Sequence, residues 1–216
     1  MNRPASALTL GAAAVLLAGC GASASTAGAR PSPPRGAAAS VAGRTTMAPW
    51  DRPVDQASRV AAAGLTLATH ETLTVHFHVH LDVIADGVPV PVPADLGIVE
   101  VDARGFVLGT GTKGTAGMAA LHTHEADGVL HVEAPAGETF TLGEAFAEWD
   151  VALGPGQLGG YRDGTAGYRV AAWVNGRLVT ASPAQVVLSP HDEIAVVAYR
   201  GSPPAVPDRY TFAPGE

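Results

Sequence analysis

The 216-residue sequence holds one cysteine, Cys20. A disulfide within the chain is thereby excluded, and so is a metal site built on thiolates. Basic side chains are scarce where a folded domain is expected. The first 50 residues contain Arg3, Arg30, Arg35 and Arg44 and no acid, so residues 51–216 set nine bases against all 20 acids, a formal −11. A nucleic-acid-binding face would be basic, so nucleic acid is excluded as a partner; this balance attracts cations instead. The apolar stretch from Leu8 to Ala18 is too short to span a bilayer. Three catalytic templates are also missing: there is no His-Glu-x-x-His helix, no Gly-x-Ser-x-Gly elbow and no catalytic cysteine.

What is present begins with an address. Arg3 followed by the Leu8–Ala18 stretch reads as a secretory signal over residues 1–19. It ends in Leu17-Ala18-Gly19-Cys20, which resembles a bacterial lipobox. That resemblance implies lipidation of Cys20, membrane lipid as a partner, and a protein held on the extracytoplasmic side of the cell membrane. Residues 20–49 are rich in Ala, Gly, Ser and Pro and read as a disordered linker. Trp50, the first large apolar residue after the signal, marks the start of a single β-rich domain over residues 50–200. Pro203, Pro204 and Pro207 mark residues 201–216 as an extended tail.

Within the domain, Val54 to Ala63 is weakly amphipathic and is stopped by Gly64, which predicts a short helix. Residues 70–84 alternate with period two, placing Phe77, Val79, Leu81 and Val83 on one face and His76, His78, His80 and Asp82 on the other. Asp86-Gly87 turns this strand into Val88–Pro93, whose three prolines predict an edge strand or extended arm. Gly109-Thr-Gly-Thr-Lys-Gly114 fits the spacing of a dinucleotide fingerprint, but the next element is a hairpin rather than a helix, so it reads as a loop. Thr141 and Glu144 are spaced as a capping box for a helix whose stripe is Leu142, Ala145, Phe146 and Trp149. Two strands around Asn175-Gly176 and a buried strand from Ile194 to Tyr199 complete an α+β, β-rich domain.

The chemistry concentrates in Leu121-His-Thr-His-Glu-Ala-Asp-Gly-Val-Leu-His-Val-Glu133. A turn at Asp127-Gly128 sets 124 opposite 131 and 122 opposite 133. His122, His124, His131 and Glu133 then share one face, a ligand set for a transition metal. A four-residue loop preserves that face, whereas a three-residue loop with a bulge moves His131 and Glu133 to the other. His76, His78 and His80 form a second candidate set. Alternate residues on one strand face are about 6–7 Å apart, so two of them can grip one ion while three in a row, spanning about 13 Å, cannot without a bulge. Imidazole suits zinc, copper, iron and nickel, and one carboxylate does not narrow that set much; copper or zinc is the expected ion. His191 reads as a turn residue, Met118 as an incidental thioether, and His70 as a residue at a strand entrance.

Three resemblances accompany this reading. Trp173-Val-Asn-Gly176 and the acidic turn before the last strand are similar to small β-grasp modules of secreted proteins, which implies a β-grasp-like fold over about 120–200. His-x-His-x-His-Leu-Asp-Val followed by Leu-His-Thr-His-x-x-Asp-Gly-x-x-His-x-Glu resembles a group of uncharacterised bacterial secreted proteins and lipoproteins, which implies no particular reaction. His76-Phe-His-Val-His80 looks superficially like the zinc strand of α-type carbonic anhydrases.

The principal expectation is a membrane-anchored lipoprotein that binds copper or zinc. The alternatives are a metal-dependent enzyme, hydrolytic, oxidative or carbonic-anhydrase-like, with Glu125, Asp127 or Glu133 as general base, and an envelope interaction module with structural histidines. Imidazoles that repel one another once protonated, near pH 6.5, would also make a pH sensor.

Overall fold

The computed structural model describes residues 38–69 and 74–214. The signal segment, Cys20, the first part of the expected linker and His70 lie outside them. In chain order the described residues form α1 (Gln56–Ala62), β1 (Leu67–Ala68), β2 (Val75–Ala85), β3 (Val88–Pro89), β4 (Ile98–Val99), β5 (Gly117–Ala119), β6 (Leu121–His122) and β7 (Val129–Ala134). Then follow α2 (Leu142–Glu148), β8 (Leu153–Gly154), β9 (Gln157–Leu158), β10 (Tyr161–Arg162), β11 (Tyr168–Val174), β12 (Arg177–Leu178) and β13 (Glu193–Arg200). The domain is α+β and β-rich. Among the described residues no helix is long and apolar enough to cross a membrane.

The main sheet has seven strands in the order β12-β11-β13-β2-β7-β6, with β3 paired to the far end of β2. Its centre is mixed: β2 runs parallel to β13 and antiparallel to β7. The period-two pattern of β2 decides which side is apolar. Val79, Leu81 and Val83 join Leu130 and Val132 of β7 in one core with Leu142 and Phe146 of α2 and with Trp149 at its C-cap. Each large side chain buried there contributes about 1.5–3 kcal/mol. At the start of α2 the Thr141 backbone N–H donates to Glu144 Oε2 at 2.6 Å, the reach-back half of a capping box. Trp149 Nε1 donates to the Trp50 carbonyl at 3.0 Å, and the two indoles meet edge to face.

Two tight turns follow from residue type. Asp86-Gly87 and Asn175-Gly176 both have positive φ at both positions, the backbone of a two-residue hairpin. The prolines after Asp86-Gly87 limit β3 to two residues, and Val90 and Val92 continue as a buried arm. Gly109–Gly114 contains no helix.

The packed chain reaches further toward the N terminus than Trp50, into residues expected in the linker. Val41 bridges Leu153, Arg44 bridges Val151, and the Arg44 guanidinium donates to the Trp149 carbonyl at 2.7 Å. At the other end, residues 201–214 form no helix or strand but cross the face of the sheet opposite α2. Val206 packs on Trp173, Ala195 and Val197, and Tyr210 stacks on His80 at 3.9 Å.

Candidate metal centre

The histidine-bearing face of β2 meets the histidines of β6 and β7. In the β2–β7 ladder His78 lies opposite His131 and His76 opposite Glu133, and in the β6–β7 ladder His122 lies opposite His131. Three imidazoles from three strands therefore form one row, with His76 and Glu133 beside it. This register differs from the tightest hairpin by two residues, which preserves side-chain parity and keeps His122, His131 and Glu133 on one face.

The reason lies at Thr123. Its hydroxyl donates to the Pro93 carbonyl and accepts from Leu96 N–H, while its own N–H donates to the Leu96 carbonyl. Strand pairing ends at His122, and His124 projects from the exposed loop beyond. Gly128, at φ +89, presses that loop onto β2; a Cβ there would lie 2.7 Å from the Leu81 carbonyl oxygen.

Each histidine has a distinct environment. His122 is 1% exposed. Its Nδ1 lies 2.9 Å from the Ala119 carbonyl, which can only accept, so Nδ1 carries the proton and Nε2 presents a lone pair. That Nε2 is buried and makes no hydrogen bond among the described residues. Burial, reinforced by His124, His131 and His76 and opposed by the Ala119 hydrogen bond, pushes the His122 pKa down to about 3. This side chain is a neutral, oriented donor, the state a metal ligand requires.

Glu133 is buried between two imidazoles, with Oε1 3.5 Å from His76 Nε2 and 4.0 Å from His122 Nε2. His78 Nε2 and His131 Nδ1 are 2.9 Å apart. His124 and His76 form an exposed rim.

Two triads result, His76–His78–His131 and His122–His124–His131, and in each the donor atoms lie within 4.8 Å of one another. Donors around a tetrahedral zinc at 2.0–2.1 Å are about 3.4 Å apart, so small side-chain rotations close either set.

His80 is not part of this cluster. Its Nδ1 lies 2.8 Å from Glu193 Oε2 and its Nε2 3.0 Å from the Asp127 carbonyl. Both nitrogens thus face acceptors, as an imidazolium requires. Burial opposes charging His80, but Glu193, Asp82 and the Asp127 carbonyl outweigh it and raise its pKa. The Glu193 carboxyl is itself raised by burial and by Asp82. His80, Asp82 and Glu193 also stand within 4.8 Å as possible donors, but the engaged nitrogens make His80 a tie between β2, β13 and the 127 turn. Neither Glu193 nor Tyr210 is signalled by local sequence, because both contacts depend on tertiary neighbours.

No family model, curated protein or solved structure matches this chain.

The remaining candidates fall elsewhere. Met118 lies on β5, paired with Ala68 and Ile98 in a separate small sheet. His191 turns the chain into β13 at φ +62, and its ring lies against Phe212. Glu125 is exposed, and Asp127 Oδ1 accepts from Val129 N–H at 3.0 Å, which gives it a turn-forming role.

Proposed function

We propose that this protein is a metal-binding lipoprotein of the cell envelope that takes up copper or zinc through His76, His78, His122, His124, His131 and Glu133. The observation that carries the reading is His122: a buried neutral imidazole, oriented by a backbone carbonyl, whose Nε2 lone pair faces a carboxylate and further imidazoles. A solvated polar face would not bury that nitrogen without a partner. Copper and zinc both suit imidazole with one carboxylate. The exposed rim of His76 and His124 gives ions a way in and out, which fits capture and delivery.

Lipidation at Cys20 would hold the domain at the outer side of the membrane, with the intervening Gly/Pro-rich residues as tether. The fold that fits is β-grasp. What supports it is the order β7-β2-β13-β11 with β2 parallel to β13 and α2 between β7 and β11.

The test is elemental mass spectrometry of untagged protein beside a His122→Ala/His124→Ala double variant. At least one copper or zinc per chain, with less in the variant, is expected; no metal in either after reconstitution would refute the reading.

The solvent-exposed rim also favours a second reading, a metal-dependent hydrolase or carbonic-anhydrase-like lyase with Glu133 as base. Ester hydrolysis and CO2 hydration by reconstituted protein, against the same variant, test it.

A further inference from the structure

Five imidazoles and a carboxylate exceed what one tetrahedral ion takes. Their arrangement explains the surplus. We propose that the cluster holds two divalent ions, copper or zinc, side by side, with His131 as the ligand common to both. This rests on the metal-binding reading above and specifies its stoichiometry and geometry.

Three observations carry it. First, His131 belongs to both triads, the one completed by His76 and His78 and the one completed by His122 and His124. The ring contacts have the same form: His76 meets His78 at 4.8 Å, His122 meets His124 at 4.9 Å, and His131 lies 4.4 Å from His78 and 4.6 Å from His124. Second, His131 uses Nδ1 toward His78, at 2.9 Å. The two nitrogens of an imidazole point in divergent directions, so a ring that binds the His76–His78 ion through Nδ1 has Nε2 for the His122–His124 ion. A proton held between His78 and His131 marks a position where a cation can replace it. Third, Glu133 Oε1 lies near the terminal nitrogen of one member of each triad, His76 at 3.5 Å and His122 at 4.0 Å. A carboxylate has two oxygens and can give one to each ion. Each ion then has three nitrogen donors and one oxygen, the donor number of a closed tetrahedral site.

The proton balance is definite. The first ion binds between His78 and His131 as the proton they share moves to the far nitrogen of the ring that carries it, so no proton leaves and both rings stay neutral. The second ion binds His131 Nε2 as the N–H proton there is lost to solvent, which leaves one imidazolate. No electron is transferred. The imidazolate and Glu133 offset half of the added charge, and the acidic domain around them favours the rest.

The experiment is a copper(II) titration of the full-length, untagged protein in detergent, desalted and analysed for metal per chain, with spin counted by electron paramagnetic resonance. Two coppers per chain with much less spin than copper are expected, because an imidazolate couples its two ions. His124→Ala alters only an exposed loop side chain and is expected to retain one copper, with full spin. His131→Ala is expected to lose the coupling altogether. One copper per chain in the unaltered protein would overturn the two-ion arrangement and leave the metal-binding reading standing; none would overturn both. Two uncoupled coppers insensitive to His131→Ala would likewise overturn the shared ligand.

Discussion

His78 Nε2 and His131 Nδ1 lie 2.9 Å apart across the β2–β7 ladder. Only one proton fits between two ring nitrogens at that distance, so at least one ring is unprotonated at the facing atom. The pairing joins two segments 53 residues apart and makes one cluster of two histidine motifs.

Metal binding should therefore stabilise the fold as well as occupy the site. Free zinc or copper at about 100 times its Kd adds about 2.7 kcal/mol. For a domain of this size that raises Tm by roughly 5–10 °C. Scanning calorimetry should show the rise, a chelator should reverse it, and the His122→Ala/His124→Ala protein should show a smaller one.

Acid should weaken the metal-free fold through His122. Its pKa falls from 6.5 to about 3 on folding, so between those values the unfolded chain binds the extra proton. Stability is full above about pH 6.5 and declines as pH falls toward 3. At pH 5 the cost is about 2 kcal/mol relative to neutral pH. Urea denaturation at pH 7 and pH 5 measures it, and His122→Gln should remove this contribution; an unchanged pH dependence would contradict it.

Glu148 should act in the opposite sense. It is 1% exposed on α2, its Oε1 is buried without a hydrogen bond among the described residues, and burial, with Glu144, raises its pKa well above the ordinary range. The folded state keeps the proton that the unfolded chain releases, so this residue costs stability as pH rises above about 4.5. Glu148→Met should stabilise the protein by about 1–3 kcal/mol, with the gain growing from pH 5 to pH 8. A denaturation midpoint that falls instead would assign Glu148 a structural partnership.

Gly97 should prove indispensable to the site without touching an ion. It sits at φ +73, where a Cβ would lie 2.6 Å from the Leu121 carbonyl oxygen and 3.1 Å from His122 Cβ. Gly97→Ala should cost about 2 kcal/mol or more and displace β6. The expected signature is weaker metal affinity together with a lowered midpoint; affinity retained at full strength would show that His122 does not depend on this packing.

Much of the local structure was legible because it depends on near neighbours in the chain. Alternation assigned His76, His78 and His80 to one face of β2, and Asp-Gly and Asn-Gly pairs marked turns that do adopt positive φ. The tightest turn at Asp127-Gly128 failed as a guide to register because Thr123 is bound to the Pro93–Leu96 arm, a contact with a distant segment. The same limit applies to Trp50 as a domain start, since Val41 and Arg44 already pack against residues near 150.

The charge of the domain, the periodicity of its strands and the residue types available as ligands follow from composition and the two-residue repeat of an extended backbone alone. Tertiary structure decided which histidines meet. His78 and His80 share a face of β2, yet one faces His131 and the other Glu193, 113 residues away, under the ring of Tyr210. Strand order and register arise from contacts closed across long loops, and no local pattern encodes which neighbour a side chain will find.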